Sequence, residues 1–470
     1  MRPAFILKPM GQTPILHWLD WLVFFGVLGL TFASVWYGQY LLRRQGESTK
    51  NSALEILLMG RGLTLPLFVP TLVATWYGGI FGVTSLTFQR GVFNFLTQGV
   101  FWYATYLIFA FFLVKRVRRI QATGLADLAG QMHGPRARKL TALLAFSNLL
   151  PIGYISGLGI FIGLLIGIHW WWAALIGLAL VFGYALMGGL RAVVFSDVVQ
   201  CVVMVAAVWI IVIVCWGEYG GIEFLRSRLP ETHWDPTGGN AWGELFIWGF
   251  IALGTLVDPN FHQRIQAADS TKTAQRGILL ATTVWFFFDI ATTMGGLYAR
   301  ALLPNANPEW AYMELGMMVL PPGLKGLFLA GLLATVLSTL DSSLFTAGAT
   351  FSSDLLGKTS KWSVKLSMLL TGLLAWAIAP LFGGSIVAVW RILGGLAAAS
   401  LVPATVFSLC YPGKLNEQGF LLSVGLGIAG TVGHGLYSTF YPNMLDQFYM
   451  GLICSVFGLV LGLVRQPKKT

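Results

Sequence analysis

Ala74-Thr75-Trp76-Tyr77-Gly78-Gly79-Ile80-Phe81-Gly82 places three glycines in the middle of an apolar run long enough to cross a bilayer. A helix drawn through residues 64–89 is weakened there, because glycine loses more conformational freedom on ordering than any other residue. Five spans later, Gly249-Phe250-Ile251-Ala252-Leu253-Gly254-Thr255 leads to Asp258-Pro259, where proline removes a backbone donor and disfavours helix in the residue before it. Two interrupted helices, each the first of a five-helix set, point to an inverted-repeat transporter with its site at the breaks. The competing explanation is that the glycines only allow close helix crossing. The matched spacing of the two breaks favours the first reading.

The surrounding chain supplies the membrane context. Of its 470 residues, 56% are hydrophobic and 10% charged, and mean hydropathy is +0.72, too apolar for a water-soluble protein and for most soluble enzymes. Apolar stretches near 20 residues, with 56 glycines and 18 tryptophans for close packing and interfacial anchoring, favour α-helical spans over barrel strands. A net charge of +11 would suggest nucleic acid in a soluble protein. Here the basic residues cluster between spans and read as topology signals, so no nucleic-acid partner is expected. Cys201, Cys215, Cys410 and Cys454 lie in or beside apolar stretches without ligand-like spacing, which indicates neither a disulfide framework nor a metal site.

Thirteen spans are read at 17–42, 64–89, 92–114, 140–167, 170–188, 190–216, 242–262, 277–300, 323–355, 362–382, 385–411, 418–440 and 444–464. With the N-terminus outside, 22 of the 30 basic residues fall on the cytoplasmic side, including Lys50, Arg191, Arg264, Lys468 and Lys469. Arg2, Lys8 and five others lie outside and Arg391 within a span, a bias that fits N-out, C-in. A multi-pass protein of the plasma (inner) membrane is expected. The chain has no Walker-type phosphate loop and no long extramembrane stretch for a catalytic domain, so the expectation is a non-enzyme without direct ATP drive and without an obligatory protein partner.

Polar groups inside the spans need a reason to be there. In Thr335-Val336-Leu337-Ser338-Thr339-Leu340-Asp341-Ser342-Ser343, residues Ser338, Asp341 and Ser342 recur at i, i+3, i+4 and share a face, with Thr339 one step round. Hydroxyl and carboxylate oxygens suit a hard cation such as sodium; the plainer alternative is hydroxyls bonding back to their own helix. A carboxylate at the bilayer centre costs about 2.5–3.5 kcal/mol on insertion scales and needs a partner, a proton or an ion. Asp197, six residues after Arg191, sits roughly 9 Å of helix rise from the cytoplasmic end, where it lines an ion's path or pairs with a nearby arginine. Asp289, after Phe286-Phe287-Phe288, lies deep, and Arg391 follows Trp390 near the outer edge of its span. Together they hold a zwitterion or anion, pair with each other as a bridge, or leave Arg391 to snorkel outward.

Several separated motifs in order resemble the sodium:solute symporters, the family of the sodium/glucose, sodium/proline, sodium/pantothenate and sialic acid transporters. They are Leu58-Met59-Gly60-Arg61-Gly62-Leu63, Thr123-Gly124-Leu125-Ala126-Asp127, Gly188-Gly189-Leu190-Arg191-Ala192-Val193 through Asp197 and Gln200, Pro259 through Gln263-Arg264, and Leu324-Lys325-Gly326-Leu327 through Ser342. The resemblance implies an all-α, leucine-transporter-type 5+5 inverted repeat: an extra helix and cytoplasmic loop at 1–56, repeats at 57–216 and 242–411 around an extracellular loop at 217–241, and two further helices with a short tail at 412–470. It implies sodium (Na+) held by Ala74 and Tyr77 of the second span with Thr335, Ser338 and Thr339 of the ninth. A second sodium site maps to Asp197, Ser338, Asp341 and Ser342, Asp341 standing where some members have serine. Candidate substrate positions are Trp76, Phe81, Thr255, Asp289, Trp390 and Arg391; the polar sugar-binding residues of the glucose carriers are missing.

The expectation is therefore a secondary active transporter that symports a small organic solute, a carboxylate or zwitterion, with sodium into the cytoplasm by alternating access. The rivals are the same fold driven by protons through Asp341 or Asp289, and a non-transporting membrane sensor or partner subunit.

Overall fold

The computed structural model describes residues 16–44, 52–382, 386–441 and 446–465, with the side chains of 386 and 387 left aside. Arg2, Lys8, Lys50, Lys468 and Lys469, which entered the topology count, lie outside the described residues. The described residues are all-helical apart from one isolated bridge. Among them, ten helical stretches are long and apolar enough to cross a membrane, against thirteen expected. The difference comes from the two interrupted helices, whose pieces are each too short, and from one helix of 16 residues.

After α1 (Trp18–Arg43), the first interrupted helix consists of α2 (Leu65–Ala74) and α3 (Ile80–Arg90), with residues 75–79 unwound. Then come α4 (Phe95–Ile120), α5 (Pro135–Leu149) and α6 (Ile152–Ile166) on either side of a kink at Pro151, α7 (Trp170–Ala185) and α8 (Gly189–Tyr219). The second interrupted helix is α9 (Trp242–Ala252), a 3-10 turn over Leu253–Val257, and α10 (Pro259–Ala267), so this span runs five residues beyond its expected end. The remainder are α11 (Thr271–Leu302), α12 (Leu324–Ala349), α13 (Lys361–Ile378), α14 (Gly395–Cys410), α15 (Glu417–Phe440) and α16 (Gln447–Val464).

Helix α12 is the axis of the molecule, with 94% of its apolar window buried. Small residues bring it close to its neighbours: a Cβ added at Gly331 would lie 2.1 Å from Ala207 Cβ of α8. Outer helices instead expose large apolar side chains, among them Val202 and Ile213 of α8 and Phe111 and Phe112 of α4, as lipid-facing surfaces do. Backbone bonds tie the two interrupted helices at one end. Leu63 N–H donates to Ala267 O and Asp269 N–H to Leu63 O, both at 3.0 Å, joining the start of α2 to the end of α10.

Both expected breaks are present, and the glycines of the first also serve close approach. A Cβ at Gly78 would lie 2.4 Å from Thr339 Cβ, and one at Gly79 only 2.0 Å from the Trp390 indole. Neither position tolerates a side chain without moving what packs on it.

Candidate functional site

At the first break, α2 stops at Ala74, whose carbonyl has no local backbone donor. Groups from α12 meet it. Ser338 Oγ lies 2.9 Å from Ala74 O and 3.1 Å from Thr335 O, and Thr339 Oγ1 lies 3.1 Å from Ala74 O and 3.3 Å from Thr335 O. Gly78 N–H donates to Thr339 Oγ1 at 2.6 Å. Two carbonyl and two hydroxyl oxygens thus converge in a buried spot, the donor set a small hard cation takes. Tyr77, the fifth residue of the expected set, turns its hydroxyl away to Asp289, and its carbonyl accepts from Ile80 N–H at 3.1 Å.

One turn further along α12 lies a second polar cluster. Thr71 Oγ1 donates to Asp197 Oδ2 at 2.5 Å, Ser196 Oγ to Asp341 Oδ2 at 3.2 Å, and Thr75 Oγ1 meets Ser342 Oγ at 3.1 Å. Ser338 is occupied at the first break and does not join them. Arg264, placed by sequence on the cytoplasmic side, is fully buried here: its Nη2 donates to Ser342 Oγ at 2.7 Å and its Nη1 reaches Asn260 Oδ1 and Gln263 Oε1. The physical reason is that the helix continues to Ala267, past its expected end, and every residue of α10 is buried by its neighbours. Arg191, the arginine nearest Asp197 in sequence, pairs instead with Glu55 at 2.7 Å. Asp197 Oδ1, Asp341 Oδ1 and Arg264 Nε have no hydrogen-bond partner among the described residues.

Between the two breaks the helices enclose a cavity of about 180 Å³ that reaches Thr339 and Ser343 of α12. Of the expected substrate residues, Trp76, Thr255, Asp289 and Trp390 line it. Asp289 accepts hydrogen bonds from the Tyr77 and Tyr103 hydroxyls, one on each oxygen, and Trp76 Nε1 donates to Tyr106. Phe81 does not line the cavity; it is fully buried as the second residue of α3 and packs toward Phe161 with ring centroids 6.5 Å apart. Arg391 is the larger correction. It points outward, its side chain 42% exposed, and forms an ion pair at 2.6 Å with Asp446 just before α16. It neither lines the cavity nor bridges to Asp289.

Sequence reasoning missed Thr71, Trp102, Tyr103, Tyr106, Tyr154 and Arg264 as parts of these sites. Some signal was present. Thr71 precedes Thr75 by one helical turn, and Trp102, Tyr103 and Tyr106 form a polar-tipped aromatic face at i, i+1, i+4 in a span otherwise rich in Phe, Leu and Ile. Nothing local marks Tyr154, which meets Trp390 Nε1 at 3.4 Å from a distant helix.

Comparison with known proteins gives this arrangement its context. The family pattern described as "Sodium:solute symporter family" matches residues 58–427. A sodium/pantothenate symporter of Haemophilus influenzae is 29% identical over 70% of this chain and 72% of its own, and a high-affinity choline transporter of Drosophila melanogaster is 24% identical over 84% and 67%. Among solved structures, a Na+-coupled sialic acid symporter in a substrate-bound, outward-open state superposes with a TM-score of 0.75 at 19% identity, covering 95% of this chain and 97% of that one. The fold is all-helical and leucine-transporter-like. The chain belongs to the sodium:solute symporter family and is a multi-pass, secondary active, sodium-coupled symporter.

Proposed function

We propose that the protein carries a small organic solute into the cytoplasm with sodium bound between Ala74, Tyr77, Thr335, Ser338 and Thr339, by alternating access around the two interrupted helices. The convergence of Ala74 O, Thr335 O, Ser338 Oγ and Thr339 Oγ1 supports this reading most directly. When sodium enters, the hydroxyls turn their lone pairs to the ion, and α2 and α12 are drawn together. That locks the wall of the cavity on which Trp76 and Gly79 stand, so that ion occupancy prepares the solute site. Binding shifts the equilibrium between outward and inward forms only by its difference in affinity for the two. Each sodium moving inward through about 100 mV supplies roughly 2.3 kcal/mol before its concentration gradient is counted.

Asp197, Asp341 and Ser342 form a second cation position in this reading, with Arg264 setting its local charge. The interrupted helices, the 16-residue α7 and the ten long stretches together make thirteen spans, N-out and C-in, in the plasma membrane, with repeats at 57–216 and 242–411.

Uptake into proteoliposomes under an imposed sodium gradient tests the proposal. The expected result is concentrative uptake that vanishes in potassium buffer and in Ser338→Ala/Thr339→Ala. Equal uptake driven by a pH gradient without sodium overturns it.

A further inference from the structure

The cavity's own composition narrows the chemistry of the solute. Among the described residues, the ionisable groups lining it, apart from tyrosines, are Asp258 and Asp289; no described lysine, arginine or histidine does so. Asp289 is 4% exposed, and each of its oxygens accepts a phenol hydroxyl. None of the ion pairs among the described residues includes it. Asp258, also in the lining, uses one oxygen to cap α10, accepting from Phe261 N–H at 2.8 Å.

The aromatic walls point the same way. Five tryptophans and four tyrosines line the space. Ring faces carry the negative part of the aromatic quadrupole and attract cations, most strongly where water is excluded. A carboxylate solute would face two carboxyl groups and electron-rich ring faces with no basic group in the lining to receive it. Two phenol donors hold Asp289 in place, and a buried carboxylate of this kind is completed by a cation or a proton.

We propose that the solute is a small organic cation, a quaternary or tertiary ammonium on an apolar body, held against the aromatic walls with its charge toward Asp289. This rests on the symport reading above and replaces the carboxylate or zwitterion expected from sequence, which depended on Arg391.

The test uses the purified full-length protein and its thermal stability in sodium chloride and in potassium chloride, choline chloride being unsuitable as the sodium-free salt. The probes are tetramethylammonium, choline and benzyltrimethylammonium, the neutral choline isostere 3,3-dimethylbutan-1-ol, L-proline and pantothenate. A cation is expected to stabilise saturably in sodium, with the neutral isostere weaker by at least about tenfold. Asp289→Asn is expected to lose the cation response and keep the sodium response. Trp102→Leu, which retains every charge, is expected to weaken the cation response and serves if Asp289→Asn does not fold. Stabilisation by sodium alone with no response to any of the three cations overturns the inference and leaves the transport reading intact. Loss of the sodium response in Asp289→Asn with the cation response unchanged also overturns it, by assigning Asp289 to the ion. Absence of any sodium response in the unaltered protein removes the symport reading as well.

Discussion

The two helix breaks differ in who completes them. At the second, the chain looks after itself: Asp258 caps α10 with Pro259 at its first turn, and His262 Nε2 lies 2.9 Å from Leu256 O across the turn. At the first, residues more than 260 positions away do the work, with Ser338 and Thr339 of α12 meeting Ala74 O. A break closed by its own residues is a fixed piece of cavity wall. One closed by hydroxyls from another helix is open to a competitor, since an ion offers the same carbonyls a stronger partner than a neutral hydroxyl does. Both breaks read from sequence simply as interrupted helices, which hides this difference in role.

Ser338→Ala with Thr339→Ala breaks the comparison most severely. Each hydroxyl facing a buried ion contributes about 1.5–3 kcal/mol, so the pair should lower sodium affinity by at least about a hundredfold, read by sodium-dependent thermal stabilisation. Unchanged affinity would sink the assignment of the ion to the first break. Gly79→Ala comes next: the new Cβ would meet the Trp390 ring at 2.0 Å, and overpacking of this kind costs about 1–3 kcal/mol. Solute affinity should fall by about tenfold or more while sodium binding alone persists; a solute affinity equal to the unaltered protein's would show that Trp390 does not shape the site. At the second break the effect on stability should be smaller. Asp258→Ala should lower unfolding stability by about 1 kcal/mol, and Asp258→Asn, an equally good cap, by much less. If the two variants melt alike, the cap is not what holds that break. Arg391→Ala should do least. An exposed ion pair is worth about 0–1 kcal/mol, so both stability and solute affinity should stay near those of the unaltered protein, and a lost solute response would return Arg391 to the cavity.

How much of this was legible in the chain depended on whether the signal was local. Glycine and proline act on their own backbone, so both breaks could be placed to within a few residues. Ser338, Asp341 and Ser342 announce a polar face because helical spacing alone sets it. Depth and facing across helices are different. Arg264 read as a loop charge because the span drawn to 262 stops before α10 does, and the packing that buries it is a tertiary fact. Arg391 and Asp289 looked like partners because both were charges in spans; the partner Arg391 takes, Asp446, lies 55 residues on. The aromatic lining was written in single residues on several helices, none of which forms a pattern by itself.

The short parallel bridge between Leu63 and Ala268 turns the two interrupted helices into a closed linkage. Its rigid bars are α2 and α10, its joints the unwound residues 75–79 and 253–258, and its pin the pair of backbone bonds at the far end. In such a mechanism neither joint swings alone. A tilt imposed on α2 by an ion at Ala74 is carried through the pin to α10, so that the wall bearing Asp258 moves in step with the wall bearing Trp76.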